Sequence, residues 1–79
     1  MPRSLYRNTS YRRMIALLSR HGFEIIQGGN HVKAFCNEHQ ATVIFSRNRK
    51  ISSGVTKSIA NLLMKECCIS ENEIMSQLF

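Results

Sequence analysis

The stretch from Gly22 to Cys36, Gly-Phe-Glu-Ile-Ile-Gln-Gly-Gly-Asn-His-Val-Lys-Ala-Phe-Cys, constrains the fold of this chain more than any other. Two runs rich in β-branched and aromatic residues, Phe23 to Gln27 and His31 or Val32 to Cys36, flank Gly28-Gly29-Asn30. Such residues suit a pleated, half-buried surface. Glycines accept positive φ at little steric cost, as a tight reversing loop requires. The reading is a β-hairpin whose turn is shaped by Gly28, Gly29 and Asn30. His31 then stands first after the turn, at the rim of a sheet, where an imidazole can serve as acid or base near neutral pH.

A hairpin alone is barely stable in water and needs a third strand or a packed helix. Ala41 to Ser46 supplies the strand, joined to the second through Asn37-Glu38-His39-Gln40, which predicts an antiparallel meander. Upstream, Tyr11, Met14, Ile15 and Leu18 recur at i, i+3, i+4 and i+7, widened by Leu17. That spacing predicts a helix with Ser10 as N-cap and Gly22 just past its end. Arg12, Arg13 and Arg20 lie off the stripe and are expected in solvent. Downstream, Val55, Ile59, Leu62 and Leu63 predict a helix from Gly54 or Val55 to Cys67, capped by Ser52 or Ser53. Ser70-Glu71-Asn72-Glu73 fits a capping box, with Ile69 and Ile74 as its hydrophobic staple, and opens a short last helix. Alternation places Val32, Ala34 and Cys36 under the helices and His31 and Lys33 on the open face, with Phe35 semi-exposed. The expected class is α+β, in the order α-β-β-β-α with a short helical tail. Residues 1–9, polar and basic without apolar periodicity, read as a flexible leader, and 10–79 as one domain.

Eleven Lys and Arg stand against five Glu and no Asp, a net charge of +6. That balance favours an acidic partner, most commonly nucleic acid. Lys33, Arg47, Arg49, Lys50 and Lys57 are the candidates for phosphate contact, the last of them near a helix N-terminus. Arg47-Asn48-Arg49-Lys50 reads as a flexible loop. Cys36, Cys67 and Cys68, an odd number with a vicinal pair, make a poor disulfide framework and point to a reducing compartment. Cys36 and His39 form a Cys-x-x-His pair without the second pair that zinc requires, so neither metal nor cofactor is expected. No apolar run approaches the roughly 20 residues of a membrane span, and no secretory signal is visible. A cytoplasmic protein without membrane association is expected.

From Ile15 to Leu78 the chain resembles the HicA-type mRNA interferase toxins, also called YcfA-like. The resemblance is carried by Leu17-Leu18-Ser19-Arg20-His21-Gly22-Phe23, Gly29-Asn30-His31, Ser53-Gly54-Val55-Thr56-Lys57-Ser58-Ile59 and Ile69-Ser70-Glu71-Asn72-Glu73-Ile74. Asn30 stands where the family has a serine, and Asn37-Glu38-His39 where a proline-containing turn is common. The resemblance implies a fold like that of double-stranded-RNA-binding domains, with a three-stranded sheet and helices on one face. It implies a toxin of a toxin–antitoxin system, cleaving mRNA without metal through the single catalytic histidine His31. A HicB-type antitoxin would cover the sheet face. The rivals are a non-catalytic RNA-binding module and an interaction protein that recognises an acidic partner.

Overall fold

The computed structural model describes residues 6–79. It is a small α+β domain of eight elements: β1 (Thr9–Ser10), α1 (Tyr11–Arg20), β2 (Glu24–Gly28), β3 (His31–Cys36), β4 (Ala41–Ser46), β5 (Lys50–Ile51), α2 (Ser53–Cys67) and α3 (Glu71–Leu78). Strands β2, β3 and β4 form an antiparallel meander in that order, and β1 pairs with β5 as a separate two-stranded ribbon.

Local chemistry accounts for the ends of these elements. Ser10 Oγ accepts the Arg13 amide at 3.1 Å and starts α1. Gly22, at φ +85°, lets the chain leave α1 in a left-handed conformation that a residue with a Cβ resists. Ser52, not Ser53, caps α2, its Oγ accepting the Val55 amide at 3.3 Å. Ser70 Oγ accepts the Glu73 amide at 3.2 Å, the first half of the expected capping box. The Glu73 carboxylate is turned instead toward His21, 3.6 Å from Nε2, and accepts Gln77 Nε2 at 3.4 Å. His21 Nε2, buried at the end of α1, lies beside Glu73 without a hydrogen-bond partner among the described residues.

One face of the meander is core. Val32, Ala34 and Cys36 of β3 and Ala41, Val43 and Phe45 of β4 are buried under α1 and α2, as alternation predicts. Met14, Leu17 and Leu18 of α1, Leu63 of α2, and Ile74 and Leu78 of α3 complete a single cluster. Each contributes about 1.5–3 kcal/mol by leaving water. The α2 stripe is rotated from the expected one. Val55 is exposed and Thr56 buried in its place, the Thr56 hydroxyl donating to the Ser52 carbonyl at 2.8 Å. A threonine methyl can pack while its hydroxyl is satisfied within the first turn, so the core draws on a residue that hydrophobicity alone passes over. Cys67 is half-buried and Cys68 exposed, so only the first of the pair packs.

The largest departure from expectation lies at the N-terminal end. Residues 1–5 of the expected leader lie outside the described residues. From Tyr6 onward the segment is a strap, not a leader. Tyr6 is 7% exposed and its hydroxyl donates to Glu71 Oε2 at 2.9 Å, at the start of α3. Asn8 Oδ1 accepts the Ser53 amide at 2.8 Å, at the start of α2. The buried Thr9 donates through Oγ1 to the Leu78 carbonyl at 3.0 Å, at the end of α3. Thr9 and Ser10 then pair with Ile51 and Lys50. This pairing also corrects the reading of residues 47–50, since Lys50 belongs to β5 and not to a loop without regular structure.

Candidate functional site

The hairpin turn positions His31. Gly28 pairs with His31 across the β2–β3 ladder, so Gly29 and Asn30 are its two-residue loop. Gly29 alone of the expected turn residues uses a positive φ, +57°; Gly28 ends a regular strand. A positive φ confined to the first loop position fits the backbone twist that antiparallel strands need. His31 pairs with Ser46 on its other side. Directly paired residues share a face, and the neighbours flanking the imidazole are therefore a glycine and a serine. Small neighbours leave the exposed ring open to a ligand.

The loop after β4 is tied to this turn. The Arg47 amide donates to the Asn30 carbonyl at 2.7 Å, fixing the Arg47 backbone beside the His31 hairpin. The Tyr11 amide donates to the Arg49 carbonyl at 2.9 Å, binding the same segment to the start of α1. Tyr11 also reaches the hairpin, its hydroxyl accepting Gln27 Nε2 at 2.7 Å while its ring lies 6.2 Å from that of Phe45. Between these anchors lies a cleft of about 410 Å³ bordered by Tyr11, Arg12, Arg47, Asn48 and Arg49. Across Arg49 a second cleft, of about 550 Å³, is bordered by Arg7, Arg13, Arg49 and Lys50 together with Ser10 and Phe79. None of the described side chains bordering either cleft is acidic.

The five expected phosphate contacts therefore divide. Arg47, Arg49 and Lys50 lie on the clefts; Lys33 and Lys57 border neither. Lys33 stands on the open sheet face between its cross-strand partners Ile26 and Ile44, which are 53% and 63% exposed. Glu24, the half-buried Phe35 and Thr42 form the next row. This face mixes the apolar Ile26, Ile44 and Phe35 with Lys33, Glu24 and Thr42, so it carries no excess of positive charge. The positive charge runs instead along the edge made by residues 47–50 and the start of α1.

Arg12 and Arg13, expected only to be solvated, belong to that edge, and Arg7 of the strap joins them. A signal for them exists in the sequence. The first turn of α1 carries two arginines and no acid, whereas that of α3 carries Glu71 and Glu73. A cation at the positive end of a helix costs about 0.3–1 kcal/mol that an acid there would instead contribute. Residues placed against the dipole point to an anion that offsets them.

Among the described residues no three His, Cys, Asp or Glu side chains gather as a metal-ligand group, and no helix is long and apolar enough to cross a membrane. Burial raises the Cys67 thiol above its ordinary range, with Cys36 and Glu66 adding to the effect. A thiol held protonated is a poor nucleophile. No protein-family model matches the chain, and comparison with curated proteins and with solved structures gave no match.

Proposed function

We propose that this chain is an endoribonuclease of the HicA type, the toxin of a toxin–antitoxin pair, and that His31 is its catalytic residue. The observation that carries the reading is an exposed, uncrowded imidazole next in sequence to Asn30, whose carbonyl accepts the Arg47 amide at the end of a cationic edge without acidic side chains. The α-β-β-β-α order with helices on one sheet face supports a relationship to double-stranded-RNA-binding domains.

The chemistry needs little else. A ribose 2′-hydroxyl attacks the adjacent phosphorus, the 5′-oxygen of the next nucleotide leaves, and a 2′,3′-cyclic phosphate remains. His31 takes the hydroxyl proton as general base, and Arg47 and Arg49 balance the charge that builds on the phosphoryl oxygens. A proton donor for the leaving oxygen completes the step, and Lys33 and water are the candidates; His39 is set aside because it sits in the turn at the far end of β3, roughly 16 Å or more along the strand from His31. Acid–base catalysis of this kind is worth roughly 10²- to 10⁴-fold, a modest nuclease.

The open sheet face is the proposed docking site for a HicB-type antitoxin. Ile26 and Ile44 offer apolar contact, Lys33 between them favours an acidic group on the partner, and His31 on the same face would be covered.

The test is RNA integrity after incubation with the wild-type chain and with His31→Ala, both in EDTA. Cleavage by the wild type alone, with RNA binding retained by both, is expected. Binding without cleavage by either protein would select the non-catalytic RNA-binding module.

A further inference from the structure

We propose that the cleft bordered by Arg7, Arg13, Arg49 and Lys50 is a second phosphate subsite, which grips the RNA backbone at a phosphodiester away from the one beside His31. The inference rests on the reading of the chain as an RNA-cleaving protein and extends it to how the substrate is held.

Four cations border one cleft of about 550 Å³, and no carboxylate lies within 4 Å of any of them among the described residues. Like charges gathered without counter-ions repel one another, and a bound polyanion removes that repulsion while releasing its own condensed counter-ions. The cleft is also built in advance. Arg13 is fixed by donation from Nη1 to the Leu78 carbonyl at 3.2 Å, and the Arg7 guanidinium lies 5.0 Å from the centre of the Phe79 ring. The backbone of Arg49 and Lys50 is held by the Tyr11 amide and by the β1–β5 ribbon. Side chains already ordered lose less freedom when a ligand arrives.

Position selects the ligand. Arg49 borders both clefts, and the smaller one is bordered at its other side by Arg47, whose backbone is bonded to Asn30, the residue before His31. A strand with one phosphate at the hairpin rim can therefore continue over residues 47–50 and place a later phosphate against Arg7 and Lys50. Two cationic clefts that share Arg49 suit a polymer better than an isolated anion. That arrangement also gives the strap a second role, since Arg7 is carried on the segment that ties α2 and α3 together.

The experiment measures binding of 2′-O-methyl oligoribonucleotides, which lack the attacking hydroxyl, by fluorescence anisotropy across a salt series. A trinucleotide is compared with a probe of roughly 12 nucleotides, within the range of single-strand site sizes. The variant is Arg7→Gln with Lys50→Gln; Arg13 is left intact because it holds the Leu78 carbonyl. The expected result is a loss of about tenfold in affinity for the long probe, with the slope of log K against log salt shallower by about 0.7 for each phosphate no longer neutralised. Trinucleotide binding stays unchanged, and Arg7→Lys with Lys50→Arg restores the slope. A thermal melt shows that the variants remain folded. An unchanged slope for the long probe overturns the subsite, and if His31→Ala has meanwhile abolished cleavage, the nuclease reading stands without it. Saturation by inorganic phosphate alone that the long probe does not displace overturns the track in favour of a free-anion site. Failure of the wild type to bind RNA at low salt overturns both readings.

Discussion

Replacing Tyr6 with alanine separates a docked strap from the loose leader that polar composition suggests. The Tyr6 ring is 7% exposed and belongs to the single core cluster. A buried aromatic of this kind removes ~150–250 Å² from water, which at ~25 cal/mol per Å² is about 4–6 kcal/mol. Measured losses for comparable truncations run to about 3–5 kcal/mol. A domain of 79 residues at ~0.05–0.15 kcal/mol per residue has about 4–12 kcal/mol in all. Tyr6→Ala is therefore expected to remove roughly a quarter or more of the total.

Tyr6→Phe keeps the ring and deletes the 2.9 Å bond to Glu71, whose exposure limits that bond's worth to about 1 kcal/mol. Burial, then the hydrogen bond and charge of Glu71, push the Tyr6 hydroxyl from 10.0 up to about 12. The folded state thus keeps the phenolic proton at pH values where the unfolded chain releases it. The hydroxyl's contribution is complete below pH 10 and is lost as pH rises toward 12. Urea melts followed by far-UV circular dichroism at neutral pH and through that alkaline window read both effects. The gap between wild type and Tyr6→Phe should shrink across the window. If Tyr6→Ala melts within about 0.5 kcal/mol of the wild type, the size of a neutral surface change, the strap argument fails.

Other substitutions probe the site and its scaffold. His31→Ala should abolish RNA cleavage, a loss of about 10²-fold or more, while shifting stability by less than about 0.5 kcal/mol, since the ring is exposed; a matched cleavage assay and melt read the two. Gly29→Ala meets no atom within 4 Å, so its cost of about 1–2 kcal/mol comes from the positive φ alone, and amide exchange in β2 and β3 should accelerate. Leu63→Ala, in the fully buried part of α2, should cost about 2–5 kcal/mol in a denaturant titration. Cys68 ends α2 at φ 55°, a conformation glycine adopts freely, so Cys68→Gly should raise stability by about 0.5–1 kcal/mol in the same titration.

The meander and the three helices are legible because their signals are local. Period-2 alternation from His31 to Cys36 and from Ala41 to Ser46, the Tyr11–Leu18 stripe, and serines 10, 52 and 70 each act on residues a few positions away. The strap is not legible. Tyr6, Asn8 and Thr9 find their partners 65, 45 and 69 positions along the chain, and a two-residue strand carries no period to detect. Val55 is misplaced because hydrophobicity ranks it above Thr56, while the hydrogen bond from Thr56 to Ser52 reverses the ranking. The place of His31 at the sheet rim is legible from the turn before it. Arg7, Arg12 and Arg13 are passed over because a basic residue off an apolar stripe looks like ordinary solvated surface. Only the identity of the helix end beneath Arg12 and Arg13 distinguishes them.

The two donors on the Leu78 carbonyl, Thr9 Oγ1 and Arg13 Nη1, also set an order of events during synthesis. Helix α1 and the meander emerge first and can pair among themselves. The cleft bordered by Arg7, Phe79 and Lys50 closes only once residue 79 has left the ribosome. A nascent chain with α3 still in the exit tunnel carries His31 on its hairpin but lacks the finished cationic track. If the track holds RNA, a chain truncated before Leu78 should bind it more weakly however well its hairpin forms.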